Sequence, residues 1–196
     1  FNILYFIGQF GELATAGYGA ALRVEQVFLL PVIGLNTAVL SIGGQNFGAK
    51  TIEIRVDANG AFSSNEALYK LNQLSEFKLH SIEQPIQKNN TDMMSELCKT
   101  TPIPIALDEE LIGVFGIQQK EMLLSKIQPQ YIILKPSLVG GFKGTLEWIA
   151  IAESLNIGWW ITSALESNIG LNAISQYTFT KNSKLPQGLG TGSLYT

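Results

Sequence analysis

Histidine and cysteine are nearly missing from this chain: 196 residues contain one of each, His80 and Cys98. A lone cysteine forms no internal disulfide, which excludes a disulfide-stapled scaffold and fits a reducing compartment. Charge is also scarce, at 15% of residues against the ~25% usual in globular proteins. No basic excess exists. Thirteen Lys and Arg face sixteen Asp and Glu, a net charge of −3, which gives no electrostatic footprint for nucleic acid. The 46% of hydrophobic residues excludes intrinsic disorder. The length suits one domain or part of a larger one, and a chain of this size buries a sizeable core.

The average hides two compositions. Residues 1–50 carry only four charges, Glu12, Arg23, Glu25 and Lys50, which cancel. Residues 26–44 carry none, and they include Pro31 and Gly34. A run of about 19 residues approaches the ~20 needed to cross a bilayer. Its all-round apolarity suits a membrane helix better than a half-exposed one, with a buried core helix as the alternative. No basic stretch precedes it and no Met opens the chain, so it does not read as a secretory signal peptide. The run GQFGELATAGYGAALRVEQVFLLPVIGLNTAVLSIGGQNFGAK resembles an internal piece of a multidrug and toxic compound extrusion (MATE) transporter. GQNFGAK and PVIGLNTAVLS are its most specific parts. That resemblance implies membrane association through residues 1–50.

The character changes at Thr51. TIEIRVD (51–57) alternates as a strand does. Ser63 and Glu66 form a capping-box signal for a helix through residue 77. Strands are expected at 79–83, 103–108, 131–135 and 159–163, with a short one at 189–193. Between them the pattern predicts a short helix capped by Thr91, then helices over 114–127, 142–156 and 168–179. Strands alternating with helices imply parallel βα units, and apolar strands imply burial on both faces.

The informative feature is what ends each strand. Asp57, Glu83, Asp108 and Lys135 close four successive strands at spacings of 26, 25 and 27 residues. One βα unit of a (β/α)8 barrel takes about 30 residues. The equal beat therefore sets all four side chains at the C-terminal rim, where barrel active sites lie. One acid at a strand end usually belongs to a turn or a helix cap. Three acids and a base in register favour a site. Converging carboxylates repel one another. A hard divalent cation such as Mg²⁺ removes that repulsion and takes oxygen ligands, and a lysine beside it can exchange protons near neutral pH. The set suits removal of a proton next to a carboxylate.

The motifs RVDANGAF, HSIEQPI, IALDEEL and ILKPSLVGG resemble, in order and spacing, those of the enolase superfamily. With WWITSALESNIGLNAISQ and LPQGLGTGSLY added, residues 51–196 are most similar to its o-succinylbenzoate synthase branch. The resemblance implies an α/β fold, a partial TIM (β/α)8 barrel of about six βα units, strands 3 to 8. It implies Mg²⁺ ligands at Asp57, Glu83 and Asp108, and the lysine of the sixth strand at Lys135. The implied activity is a cytoplasmic dehydration of a small cyclohexadiene carboxylate to o-succinylbenzoate, in menaquinone synthesis. There the sixth-strand lysine stabilises the enediolate and a second-strand lysine moves the proton. Counting back 26–30 residues from Asp57 reaches positions 27–31, which hold no lysine. Low turnover is the expectation.

Three residues are candidates for substrate contact. Asn59 either reaches the site or caps the turn. Ser163 sits where the resemblance implies contact with a substrate carboxylate, or it serves the turn. Gly190 lies in a tight glycine-rich strand whose backbone faces the ligand. His80 and Glu83, three apart on a strand, point to opposite faces, so His80 is expected to pack or to hydrogen-bond rather than ligate. Cys98, Trp159 and Trp160 read as core. The two resemblances meet near Lys50/Thr51, as if two truncated genes were joined there. Two other readings stay open: a fragment of a multidrug efflux transporter fused to the barrel, and a sibling activity such as dipeptide epimerisation or a muconate-lactonizing type of reaction.

Overall fold

The computed structural model describes residues 9–12, 16, 18 and 53–191. The chain divides into two compact units, residues 1–44 and 45–196. The charge-free run at 26–44 and the Lys50/Thr51 junction lie outside the described residues. Among the described residues no helix is long and apolar enough to cross a membrane.

The second unit alternates strand and helix. Its elements are β1 (Arg55–Asp57), α1 (Ala67–Leu74), β2 (Ser81–Glu83), α2 (Thr91–Thr100), β3 (Ile105–Leu107), α3 (Ile117–Ile127), β4 (Tyr131–Leu134), α4 (Gly141–Ser154), β5 (Gly158–Ile161) and α5 (Asn168–Phe179). The five strands lie in the order β1-β2-β3-β4-β5, and each pairs in parallel with the next. Sequential order with a helix after each strand is the arrangement of a (β/α) barrel wall.

Period-2 alternation assigns the two faces of this sheet. Ile82, Ile105, Leu107, Ile132, Leu134, Trp159 and Ile161 join the main core, together with Leu71, Met94, Leu97, Leu124 and Trp148 of the helices. Ala106, Ile133 and Trp160 form a second cluster, flanked by Tyr131 and Leu185. Both faces are apolar, as the unbroken hydrophobic strands require. The sheet curls about the second face. Arg55 on β1 lays its guanidinium 4.1 Å from the Trp160 ring on β5 and donates to the Pro186 carbonyl at 2.9 Å, although β1 and β5 are not neighbours in the sheet.

The element boundaries depart from the pattern at a few points. The Ser63 hydroxyl donates to Glu66 at 2.8 Å, yet α1 begins only at Ala67. Ala61 and Phe62 bridge to Ile86, and residues 64–66 form a turn in which the Ser63 carbonyl accepts from Glu66 N–H at 3.1 Å and Ala67 N–H at 3.0 Å. Thr91 does not cap α2 but is its first residue. Asn90 takes the cap position, and its amide donates instead to the Ser64 hydroxyl at 3.0 Å. Within the described part of 189–193 there is no strand. Its place is taken by a bridge between Thr162 and Gly188, where Gly188 N donates to the Ile161 carbonyl at 2.8 Å and Ser163 N donates to the Gly188 carbonyl at 3.1 Å. A Cβ at Gly188 would meet Thr162 at 2.5 Å, so only glycine lets the chain approach this closely.

Cys98 is buried in the main core, and burial pushes its thiol up to about 12. His80 packs at the N-terminal end of β2 against Tyr131 (ring centroids 4.9 Å apart) and meets the Ser81 hydroxyl at 3.0 Å. Burial lowers its pKa.

Candidate active site

The sheet register collects the four strand-end residues. Asp57 is directly opposite Glu83. Glu83 is opposite Ala106, so Asp108 lies two residues further on, directly past the end of β3. Ala106 is opposite Tyr131, which sets Asp108 level with Ile133 and Lys135 two residues beyond. Offsets of zero, two and two are all even, so the four side chains share one face of the sheet. The stepwise stagger is the shear of a barrel wall. That face is the one lined by Trp160 and Ile133, and the residues stand at the C-terminal ends of their strands.

Lys135 is the hub of this group. Its ammonium donates to Asp108 and lies 3.7 Å from Glu83. Asp108 is 2% exposed. Burial, with Asp57 and Asp108 as like-charged neighbours and a hydrogen bond to Asp108, pushes the Glu83 carboxyl up to about 9. Burial also raises Asp57, and the Asn59 amide and the charge of Lys135 oppose that rise. Burial would lower Lys135, but its bond to Asp108 and the charges of Asp108, Glu83 and Glu109 prevail and raise it. Glu109, next to Asp108, is raised by burial and keeps one carboxylate oxygen, Oε2, buried without a hydrogen-bond partner.

Among the described residues no three His, Cys, Asp or Glu side chains stand arranged to hold a metal ion. The donor set nevertheless fits a hard divalent cation. It offers carboxylate oxygens only, on one face, and one lysine does not balance them, since Glu83 is held protonated well above the usual carboxylate range.

The three candidates for substrate contact have the following surroundings. Asn59 is committed to Asp57, donating from its backbone N–H at 2.8 Å and from its amide at 2.7 Å. The Ser163 hydroxyl donates to Glu166 at 2.8 Å and accepts from Leu165 N–H at 2.9 Å. Gly190 is exposed in the turn after the Gly188 bridge. Two buried groups escaped the sequence reading. Gln84, directly after Glu83, is 1% exposed and Glu110 is 6% exposed, and the two are hydrogen-bonded at 3.2 Å. Polar residues that follow a strand-end acid were the only signal for them. Glu166 was missed as well. Its carboxylate accepts from Ser137, from Ser163 and from Ala164 N–H at 2.8 Å, tying the loop after β4 to the loop after β5.

The family model for the enolase C-terminal domain-like fold matches residues 36–191. The chain belongs to this family. A model for MatE also matches residues 1–56, overlapping the first match. The o-succinylbenzoate synthase of Desulfotalea psychrophila is 56% identical over 152 residues, covering 78% of this chain and 41% of that protein. The crystal structure of MenC from Desulfotalea psychrophila superposes with a TM-score of 0.72 at 48% identity, over 90% of this chain and 52% of the other. Muconate lactonizing enzyme from Pseudomonas putida superposes with a TM-score of 0.66 at 26% identity, over 74% and 40%. The chain thus spans about half the length, or less, of these relatives. As an enolase-superfamily chain it has the α/β architecture of a TIM-barrel segment, and its strand-end residues lie on the rim where barrels of this kind carry chemistry.

Proposed function

We propose that residues 53–191 form the metal-binding and anion-stabilising part of an o-succinylbenzoate synthase-type site. The substrate is a small cyclohexadiene carboxylate. It loses the proton α to its carboxylate, its ring hydroxyl leaves with a proton as water, and the aromatic o-succinylbenzoate remains. Asp57, Glu83 and Asp108 would hold Mg²⁺. The ion, when bound, supplies positive charge against the carboxylate whose α-proton is lost.

The chain's own residues do the rest. Lys135 supports this reading most directly, because its ammonium is kept cationic by its bond to Asp108 at the inner rim. Positive charge fixed there stabilises an enediolate as it develops. Asn59 grips both oxygens of Asp57 and holds that carboxylate's orientation. The core beneath the rim, Ala106, Ile133 and Trp160, excludes water from below. Positions 27–31 hold no lysine, so turnover by the 196-residue chain is expected to be slow.

The test is an ultraviolet assay of the cyclohexadiene carboxylate with Mg²⁺. Slow, Mg²⁺-dependent aromatisation that drops to background in Lys135→Ala supports the reading. Equal rates with and without Lys135 contradict it. Relatives named as L-Ala-D/L-Glu epimerase and N-succinylamino acid racemase match at 25% and 31% identity. Conversion of their dipeptide or N-succinyl substrates in preference would redirect the assignment.

For residues 1–50 we propose membrane association, on the charge-free run and the MatE match, with a boundary to the barrel segment near Lys50/Thr51. The barrel segment would then face the cytoplasm. Carbonate extraction of expressing cells tests this: retention in the pellet supports it, and a fully extracted chain contradicts it.

A further inference from the structure

We propose that Gln84 is a positioning residue that sets the spacing of the three strand-end carboxylates, and through it the affinity for a divalent cation. The inference rests on the Mg²⁺ reading above. Gln84 follows Glu83 directly, and its side chain and backbone reach the loops that follow each of the other two acids. Its carbonyl accepts from Gly60 N–H at 2.7 Å, three residues beyond Asp57. Its Oε1 accepts from Asp108 N–H at 3.3 Å and from Glu110 N–H at 3.4 Å. Its own N–H donates to the Ala106 carbonyl at 2.9 Å. The Nε2 donates to the Ile86 carbonyl at 3.0 Å and to Glu110 Oε2 at 3.2 Å. Glu110 is anchored in turn by Asn89 N–H at 3.1 Å.

Three features separate this clamp from an ordinary buried amide. First, Gln84 holds φ at +37°, a left-handed conformation that a side-chain-bearing residue keeps only where its surroundings over-determine it. Second, the clamp needs both ends of an amide: an acceptor for two backbone N–H groups and a donor for a carbonyl and a carboxylate. A glutamate would set a second anion against Glu110, and an apolar side chain would leave Asp108 N–H and Glu110 N–H without this acceptor. Third, the groups it ties together are the ones that like-charge repulsion drives apart. Gln84 follows Glu83 directly and bonds to Gly60 N–H in the loop after Asp57 and to Asp108 N–H at the end of β3. Partners of this kind, bonded around the ligands rather than to the metal, govern metal affinity.

The experiment titrates the 196-residue chain with MgCl2 by calorimetry, with thermal melting and backbone amide exchange measured alongside. The expected result for Gln84→Ala is Mg²⁺ binding weakened by about 10- to 100-fold, with faster exchange at Asp108 and Glu110. Gln84→Gly, which relieves the strained φ, is expected to recover melting temperature relative to Gln84→Ala without recovering affinity. Glu110→Gln loosens the clamp from its far end and weakens Mg²⁺ by a smaller factor, which keeps the test decisive if Gln84→Ala does not fold. A Gln84→Ala chain that melts lower yet binds Mg²⁺ like the wild type would overturn the proposal and leave a purely structural role, as would unchanged affinity in Glu110→Gln. A wild-type chain with no saturable binding would overturn the Mg²⁺ reading itself, and the clamp with it, before any variant is made.

Discussion

Lys135 and Asp108, 27 residues apart in the chain, are joined by a direct hydrogen bond at the ends of neighbouring parallel strands. The lysine ammonium is the local counter-charge for a group of carboxylates that includes Glu83 at 3.7 Å. In Lys135→Met that charge is lost and Asp108, 2% exposed, is left without it. The melting temperature of the metal-free chain is expected to fall. Added Mg²⁺ should restore part of the loss, because a ligand at about 100 times its Kd stabilises a fold by about 2.7 kcal/mol. Melting curves with EDTA and with excess Mg²⁺ check this. A variant as stable as the wild type in EDTA would contradict the role given to Lys135.

Glu83 carries a pH signature. Its carboxyl is pushed up to about 9 from 4.5 by burial and by its acidic neighbours. The folded state therefore binds a proton that the unfolded state releases. The stability from this group is fully present below pH 4.5 and is lost as pH rises towards 9. Denaturant unfolding of the metal-free chain between pH 5 and 9 is expected to show this decline. Glu83→Gln should flatten it, and saturating Mg²⁺ should flatten it as well, by favouring the ionised carboxylate. An equal slope in Glu83→Gln would assign the effect elsewhere.

Glu166 ties two loops at the rim. Removing its carboxylate in Glu166→Ala strips the acceptor from Ser137 Oγ, Ser163 Oγ and Ala164 N–H. Each buried donor left unsatisfied costs about 1–3 kcal/mol, and the exposure of Ser137 lessens its share. Urea unfolding is expected to show a loss near the low end of that range. Amide exchange should rise at Leu165, whose φ of +65° is held by its bond to Ser163. Unchanged exchange there would show that the tether does not hold the loop.

Much of this architecture was legible in the sequence. The alternation of apolar runs with helical patterns placed all five strands and their helices, because a strand buried on both faces has little compositional freedom. The spacings of Asp57, Glu83, Asp108 and Lys135 predicted one rim, and the even register offsets deliver it. Capping and contact detail were not legible. Thr91 and Ser63 carry cap-like chemistry, but Asn90 and Glu66 occupy the cap positions of the two helices. The partners of Asn59 and Ser163 are of the same kind: the sequence allows either a turn role or a substrate contact at each, and the bonds to Asp57 and Glu166 form between loop residues that no periodicity marks. Gln84, Glu110 and Glu166 escaped notice because a buried polar network is defined by contacts between loops, which have no periodicity to read.

The central claim is that three strand-end carboxylates hold a divalent cation beside Lys135. Calorimetric titration of the 196-residue chain and of Asp108→Ala with MgCl2 tests it most directly. The account predicts saturable single-site binding by the wild type and its loss in Asp108→Ala. Equal, non-saturating heats from both chains would contradict it.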